Sequence, residues 1–365
     1  MQNNLIAKVN NIPIMTKLEL LRLDYNPLLE FPDLRNVSSS LRELSIVGAS
    51  FSRIGALQNL PAIKILKLGG IFLMEFPDLI AVNSSLEELF IIRSRIQSVD
   101  YIPLMQKLKK LVLTNNRIKT LPGLNNLSAT LLQLDLSHNK IKEVDINPKM
   151  AKLQQVNLNM NLLAKFPDLS NAGETLRILK LQNNEITSVP DMLVASLQSL
   201  IYLDLRENPL FSLPNLCYMK NTIELFLSEH NLICNWRLAY LKTLETFGTI
   251  VYGEKQPHCS QPTYLQHKQW ANISVEELLN ATGEFETVTN VNQLRFGRIK
   301  LTSWNCPFGV RDENYDLSPV RCAALCGDQW NCLMYSASQG GCVLSSHEPG
   351  SWKIFNRFTK WYSQN

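Results

Sequence analysis

The sequence predicts an α/β solenoid in which short parallel strands, one from each coil, stack into a single sheet. The first observation is the stretch Leu131–Val144, LLQLDLSHNKIKEV, whose apolar residues follow neither the helical period nor simple strand alternation. The second is recurrence, because nine copies start 22 to 24 residues apart, with a tenth, degenerate copy near Thr222. A coil this short cannot bury its own leucines, so each coil needs neighbours. The nine copies begin at Leu18, Leu41, Ile63, Leu86, Leu108, Leu131, Leu153, Leu176 and Leu200.

Each copy approaches the pattern LxxLxLxxNxL, which resembles the leucine-rich-repeat consensus. The resemblance implies a horseshoe with a concave parallel sheet of about ten repeats, and we assign residues 1–230 to this leucine-rich-repeat solenoid. Every second copy ends in a related phrase, such as Phe31-Pro32-Asp33-Leu34, which suggests that coils were duplicated in pairs. Positions are counted below from the first apolar residue of each copy, so that Leu131 is position 1 and Asn139 is position 9.

Position 9 is predicted to be a tight corner, where an asparagine amide can bond backbone groups of its own and the adjacent coil. Three copies depart from the pattern, with Ala49, Ile71 and Ser94 at this position. Two interpretations stay open: drift in tolerant repeats, or relaxed corners that change the local curvature of repeats two to four. The asparagines that fill the position are Asn26, Asn116, Asn139, Asn161, Asn184 and Asn208.

The cysteines and glycosylation sequons predict an extracellular chain, either secreted or part of a cell-surface ectodomain. All eight cysteines lie at or after Cys217, and such clustering with wide loops is typical of an oxidising compartment. A net charge of +4 is modest and gives no reason to expect a nucleic-acid partner. Three sequons share one phase in alternate repeats, on the side away from the strands. The sequons begin at Asn36, Asn83, Asn126, Asn272 and Asn280.

The first residues lead to a further expectation. Met1–Lys17 contains no apolar signal-peptide segment, and no run of about 20 apolar residues offers a membrane span. The repeats also begin almost at once, without a cysteine-bearing cap, although a solenoid normally shields its first coil. We therefore expect a fragment, or an incomplete gene model, of a secreted or receptor protein.

Residues 231–284 are expected to cap the last coil. Cys234, Trp236 and Cys259 resemble the cysteine-rich C-terminal cap of extracellular leucine-rich-repeat proteins, with Trp236 standing where that family has its second cysteine. The resemblance implies a Cys234–Cys259 disulfide, and the second bridge of the family lacks both of its cysteines. Arg237–Phe247 is predicted to be an amphipathic helix that covers the last leucines, and closing the disulfide loop should add about 3 kcal/mol.

Residues 285–365 are assigned to a further domain of different character, and residues 281–292, around its start, look like a linker. A strand at Leu294–Leu301 and a capped helix at Ser318–Cys326 that carries CxxxC are predicted, followed by C-x-x-Y and C-x-L. This order resembles the PAN/Apple module, a small α+β disulfide-bonded domain. The resemblance implies two bridges, Cys322–Cys342 and Cys326–Cys332.

Cys217 and Cys306 are left over. Apple domains also join an early cysteine to a late one, but no cysteine after Cys342 could partner Cys306. The two could bond each other and lock the module against the solenoid, or remain free or intermolecular thiols. A zinc site is disfavoured because the sequons place the chain outside the reducing cytosol. That alternative would use Cys322, Cys326, Cys332 and Cys342.

The sequence indicates that the protein is not an enzyme. It contains no phosphate-binding loop, no GxSxG elbow and no HExxH motif, and its five histidines lack metal-ligand spacing. Asp135 and His138 are the nearest to an acid–base pair, and we interpret both as solvated strand positions. We therefore predict no catalytic residues, no cofactor and no metal.

The predicted function is binding of a protein ligand on the concave face. Side chains at positions 5 and 7 point to that face, because strand side chains alternate. Both columns are mostly polar but become apolar in repeats two to five, with a basic rim, and such patches mark contact sites. The alternative is that these side chains only pack on each other. The predicted residues are Val47, Lys67, Phe90, Ile92, Arg93, Lys110 and Val112.

A second, weaker candidate is the basic and aromatic segment 352–361. Lys353, Arg357, Lys360 and Trp361 could bind an acidic glycan, since PAN/Apple modules in general bind proteins or carbohydrates; the plainer alternative is a final strand with exposed cations. For the whole chain, the alternative to a secreted recognition or adhesion protein is the ectodomain of a transmembrane receptor, of an innate-immune-like or adhesion type.

Overall fold

The computed structural model describes residues 1–10, 12–54, 57–213, 224–227, 231–234, 238, 242, 250–252, 257–281, 335–337, 341–345, 352–355 and 361–364. The chain divides into two compact units. The first contains the repeats, and the second contains most of the residues that follow them. Each unit is described by itself.

The repeats form one parallel sheet, as predicted. Ten strands follow each other in chain order, each paired in parallel with the next, and the strand Ile250–Tyr252 lies beside the tenth. Nine coils are therefore complete from one strand to the next. The strands are β1 (Leu20–Arg22), β2 (Glu43–Val47), β3 (Ile65–Gly69), β4 (Glu88–Ile92), β5 (Lys110–Val112), β6 (Gln133–Asp135), β7 (Gln155–Asn157), β8 (Ile178–Lys180), β9 (Tyr202–Asp204) and β10 (Glu224–Leu227).

The core of the solenoid is built from the apolar positions of the pattern. In the sixth coil Leu131, Leu134, Leu136 and Ile141 are at most 1% exposed. Each such side chain contributes roughly 1.5–3 kcal/mol through burial, offset by the entropy lost when the coil is ordered. These residues are buried between coils, so every coil depends on its neighbours.

The position-9 asparagines form the predicted ladder. The Asn139 amide donates to the Leu136 carbonyl of its own coil at 3.0 Å and to the Leu113 carbonyl of the preceding coil at 2.9 Å. Its Oδ1 accepts from the backbone N–H of Ile118 at 3.0 Å. One buried side chain thus satisfies three backbone groups of two coils. The same three kinds of bond occur at Asn116, Asn161, Asn184 and Asn208.

The corners without asparagine are locally different. In repeats two to four the strands run for five residues, whereas β5 to β9 run for three. The residue before position 9 has a positive φ in each of the first nine coils. In repeats two and three it is Gly48 (φ 73°) or Gly70 (φ 57°), which adopt this conformation without steric cost. The three coils without asparagine at position 9 are therefore also the coils with the longer strands.

The doubled period corresponds to a turn on the flank of alternate coils. Asp78 of the Phe-Pro-Asp-Leu phrase accepts the N–H of Ile80 at 2.9 Å, at the start of the 3-10 turn Ile80–Val82. Equivalent 3-10 turns follow the phrase in the first, fifth and seventh coils. The eighth coil, which is outside this alternate series, contains a short α-helix, Asp191–Ser196.

The residues before the first repeat stack on it in the manner of a coil. Asn3 donates its N–H to the Asp24 carbonyl at 3.0 Å, and the Asn26 amide donates to the Met1 carbonyl at 2.7 Å. The N–H of Leu29 bonds the Ala7 carbonyl at 2.9 Å. These bonds repeat the pattern that joins later coils, so coil-like stacking begins before Leu18, where the repeat pattern alone places the first coil.

In residues 231–284, Cys234 and Cys259 form a disulfide, with their Cα atoms 5.3 Å apart. The capping role of this segment stays a prediction. The strands that carry these cysteines, Asn231–Ile233 and His258–Gln261, pair in parallel. Trp270 is buried, and a Ser274–Glu277 capping box begins the helix Val275–Asn280. Of the helix predicted at residues 237–247, the structure describes Leu238 and Lys242, both helical.

The C-terminal segment contains a four-stranded antiparallel sheet. Its first two strands, Tyr335–Ala337 and Gly341–Ser345, pair in antiparallel fashion. The strands Trp352–Phe355 and Trp361–Gln364 complete it. The strand predicted at 294–301 and the helix predicted at 318–326 lie outside the described residues, so the PAN/Apple resemblance stays a prediction.

We predict that Asn161→Ala lowers the free energy of unfolding by about 2–4 kcal/mol, because it leaves three buried backbone groups without a partner. The matched control is Ser94→Ala at the same position of another coil, since the buried Ser94 Oγ has no hydrogen-bond partner among the described residues. Urea unfolding should show a change of no more than about 0.5 kcal/mol for the control. Equal losses in the two variants would contradict the ladder's structural role.

Candidate functional site: the exposed face of the sheet

Positions 3, 5 and 7 of the coils form the exposed face of the parallel sheet, called the sheet face below. In β4, Leu89 and Ile91 are buried in the core, whereas Glu88, Phe90 and Ile92 are half-buried on the other side. Successive side chains of a strand point to opposite faces of the sheet. Because the strands pair in register, the side chains at one position of successive coils form a column across the sheet. The sheet face is therefore a continuous surface built from all ten strands.

The predicted ligand-binding residues meet around Phe90. In register, Phe90 lies between Lys67 of β3 and Val112 of β5. The Lys67 and Lys110 ammonium groups lie 5.8 Å and 5.4 Å from the ring centroid of Phe90, within range of a cation–π attraction. The half-buried Val47 and Ile92 flank Gly69 in the next column. We name Val47, Lys67, Phe90, Ile92 and Lys110 the Phe90 patch.

Two predicted residues are placed differently. Val112 lies in the same column as Phe90 but is only 7% exposed, because neighbouring side chains of the sheet face cover it, as the packing alternative expected for the whole group. Arg93 is exposed but has a positive φ of 53°, which places it at the corner after β4. The Phe90 patch therefore has fewer contact residues than the sequence predicts.

The two lysines of the Phe90 patch differ in their ion pairs. Lys67 Nζ lies 2.9 Å from a Glu43 carboxylate oxygen, and Arg22 approaches the same oxygen at 3.5 Å. Lys110, in contrast, has no carboxylate within 4 Å among the described residues. The patch thus offers an apolar surface next to a lysine that has no ion pair in the described part of the chain.

The centre of the sheet face is polar and internally hydrogen-bonded. The two carboxylate oxygens of Asp135 accept from the Ser137 hydroxyl at 2.7 Å and from the Asn157 amide at 3.0 Å. Asn159 Oδ1 accepts the Gln182 N–H at 2.8 Å. His138 lies at the corner position with φ 55°, so its column differs from that of Asp135. This arrangement is a surface network without features of an acid–base pair.

A second aromatic cluster lies at the other end of the sheet face. The rings of Tyr202 and Phe226 are 4.6 Å apart and tilted by 36°. Lys180 Nζ lies 5.8 Å from the Tyr202 ring, and the Arg206 guanidinium lies 5.3 Å from the Phe226 ring. Arg206 is held by both oxygens of Asp204, at 2.9 and 2.7 Å. We name Lys180, Tyr202, Arg206 and Phe226 the Tyr202 patch.

Sequence reasoning missed the Tyr202 patch. Lys180, Arg206 and Phe226 lie at positions 5 and 7, where nothing in the sequence groups them. Tyr202 lies at position 3, a column that contributes only Lys110 to the predicted residues. Reading that column against the register of β8, β9 and β10 would have placed the aromatic pair together. Burial, and secondly the charge of Asp204, raise the pKa of Tyr202, in keeping with a phenol partly removed from water.

A row of ion pairs borders the sheet face at position 2. Glu87 lies between Lys64 and Lys109 of the adjacent coils, at 3.2 Å and 2.8 Å. Hydrogen bonds from Lys109, and then from Lys64, lower the pKa of Glu87. Arg42 and Glu19 form a similar pair at 3.3 Å. These contacts link coils at the edge and leave the two aromatic patches uncovered.

The other predicted site residues are only partly described. Lys353 and Trp361 lie in the strands Trp352–Phe355 and Trp361–Gln364, while Arg357 and Lys360 are outside the described residues. Cys342 lies in a strand of the same sheet. The cysteines outside the described residues are Cys217, Cys306, Cys322, Cys326 and Cys332.

Two of the three sequons predicted to share a phase lie at equivalent places, since Asn36 and Asn126 are inside the 3-10 turns of the first and fifth coils. Asn83 instead follows the turn of the third coil and lies two residues later in its coil. The side-chain amides of Asn36 and Asn126 each donate to a carbonyl of the preceding coil at 2.8 Å, and no such bond occurs at Asn83 among the described residues. Asn272 is exposed at the end of a 3-10 turn, and Asn280 ends the helix Val275–Asn280.

Within the described ranges, no group of three histidine, cysteine, aspartate or glutamate side chains could hold a metal ion. In the same part of the chain, no helix has the length and apolar character needed to cross a bilayer.

Solved structures confirm the leucine-rich-repeat fold. A chain of the octameric complex of Latrophilin 3 (Lec, Olf), Unc5D (Ig, Ig2, TSP1) and FLRT2 (LRR) is 21% identical, with a TM-score of 0.59 over 72% of this chain and 82% of that one. The Leptospira interrogans LRR protein LIC12759 is 24% identical, with a TM-score of 0.49 over 62% and 65% of the two chains. A chain of the LRIM1/APL1C complex is 18% identical, with a TM-score of 0.49 over 67% and 51%. No protein-family model and no curated protein sequence matches the chain.

We predict that Glu87→Gln lowers the free energy of unfolding at pH 7 by no more than about 1 kcal/mol, because its ion pairs are largely solvated. A carboxylate whose pKa is lowered by folding stabilises the protein above its unfolded pKa and loses that effect as the pH falls through the folded pKa. The difference between the wild type and the variant should therefore vanish in acid. Glu185→Gln, at an exposed glutamate without an ion pair among the described residues, is the control. A difference that persists at the acid end would contradict this assignment.

Proposed function

We propose that the chain is a non-enzymatic extracellular recognition or adhesion protein that binds a protein partner on the sheet face, through the Phe90 patch. The observation that carries this proposal is the half-buried Phe90 ring between two lysines, beside Val47 and Ile92. Aromatic residues within an apolar patch and a charged rim are the composition of protein-binding hot spots.

The physical basis is incomplete burial. Leu89 and Ile91 of β4 are fully buried, so they have no area left to give to a partner. Phe90 and Ile92 keep part of their surface in water, and a partner that covers them gains roughly 25 cal/mol for each square ångström of apolar area removed from water. The similar chain with the TM-score of 0.59 belongs to a complex of three different proteins, which is a precedent for protein binding by this fold.

Residues outside the solenoid bear on where the protein acts and on a second class of partner. The Cys234–Cys259 disulfide agrees with an oxidising, extracellular compartment. The alternative to a secreted protein is the ectodomain of a membrane receptor, and the full-length transcript would distinguish them by the presence of an apolar span. A carbohydrate partner for the C-terminal module remains a prediction from its resemblance.

We predict that Phe90→Ala weakens binding of the captured partner by about tenfold to a hundredfold, as expected for the loss of an interface hot spot. The partner is captured from extracellular fluid on the immobilised chain, identified by mass spectrometry, and its affinity is then measured by calorimetry. The melting temperature should change little, because Phe90 lies outside the core.

The matched control is Phe72→Ala. Phe72 is an exposed phenylalanine with the Arg95 guanidinium 4.5 Å from its ring, but it lies on the flank of the third coil, after β3. Its replacement should leave the affinity unchanged. Equal affinities of Phe90→Ala and the wild type would remove the Phe90 patch as the binding site.

A further inference from the structure

We infer that one protein partner covers both the Phe90 patch and the Tyr202 patch, and that it places a carboxylate on Lys110 and another on Lys180. This inference rests on the proposed function and adds the second contact region and the chemistry of the partner. Two observations support it. Both patches place cationic groups near aromatic rings, and each patch contains a lysine without an ion pair among the described residues.

The two patches are built alike. In each, aromatic rings of the sheet face lie under cationic groups of adjacent coils, at centroid distances between 5.3 and 5.8 Å. The rings of Phe90, Tyr202 and Phe226 remain partly exposed. Aromatic residues and arginine are enriched at the centres of protein interfaces, so both regions have the composition of a contact site.

In each patch, one lysine has no ion pair within the described residues. Lys67 is neutralised by Glu43 and Arg206 by Asp204. Lys110 and Lys180 have no carboxylate within 4 Å among the described residues, and their recorded contacts are with Phe90 and Tyr202. Covering an ammonium group with an apolar surface is unfavourable unless the covering molecule brings a hydrogen-bond acceptor. A partner that buries the rings must therefore bring acceptors to these two lysines, and a carboxylate is the acceptor that also balances the charge.

The spacing fits one partner. β5 and β8 are three strands apart, which at about 4.8 Å for each strand separates Lys110 and Lys180 by roughly 14 Å. The rings of Phe90 on β4 and Tyr202 on β9 are similarly about 24 Å apart. A standard protein interface covers about 800 Å² on each partner, or roughly 30 Å across. Between the patches, the Asp135 carboxylate accepts hydrogen bonds from the Ser137 hydroxyl and the Asn157 amide, which offset part of the cost of covering it.

The test uses the full chain and the partner captured in a Phe90-dependent manner. A zero-length carbodiimide reagent joins lysine ammonium groups to carboxylates in direct contact, and mass spectrometry identifies the linked peptides. Both Lys110 and Lys180 should be linked to acidic residues of the same partner polypeptide. Lys119, an exposed lysine on the flank of the fifth coil without an ion pair among the described residues, should not be linked.

Charge reversal provides the second arm. Lys110→Glu and Lys180→Glu should each weaken binding by about tenfold or more, as expected when a buried interface ion pair becomes a repulsion. Lys180→Gln should cause a smaller loss, Lys119→Glu none, and all variants should keep the wild-type melting temperature.

The outcomes separate the two proposals. If Phe90→Ala abolishes binding while Lys180 is unlinked and Lys180→Glu binds normally, the second contact region is refuted and the proposed function stands. Links from the two lysines to different polypeptides would also refute the inference. If no partner depends on Phe90, the proposed function fails and the inference fails with it.

Discussion

Every coil of this solenoid is stable only against its neighbours. The apolar residues at positions 1, 4, 6 and 11 are buried between successive coils, and the position-9 amide bonds carbonyl groups of two coils at once. A lone coil would leave those groups exposed or unsatisfied, at a cost of about 1–3 kcal/mol for each buried polar group. The parallel sheet, its register and the position of its exposed face all follow from this dependence.

The same constraint determines where binding can evolve. Core positions accept little change, because a substitution alters the packing of two adjacent coils. The sheet-face positions point away from the core, so their side chains can vary without disturbing the stack. In this chain the sheet-face side chains fall into three regions. The Phe90 patch and the Tyr202 patch each combine cations with aromatic rings, and the hydrogen-bonded polar network of Asp135 lies between them. That distribution is the physical reason to place recognition on this face.

Much of the fold could be predicted from periodicity alone. The spacing of leucines and asparagines predicts the strands, the parallel sheet and the amide ladder, because each depends on residues within one coil or the next. The site was harder to predict. Phe90, Lys67 and Lys110 are brought together as expected, but Val112 is buried because its exposure depends on the side chains of neighbouring coils. The Tyr202 patch needs the register of three strands, and that register is not visible in any single repeat.

The most direct test of the dependence between coils is native-state hydrogen exchange of the whole chain. Strand peptides 108–116, 131–139 and 153–161 should exchange slowly, and increasing urea should raise their exchange rates together, because the coils open as a group. Exchange of each coil at its own independent rate, with no common urea dependence, would contradict the account.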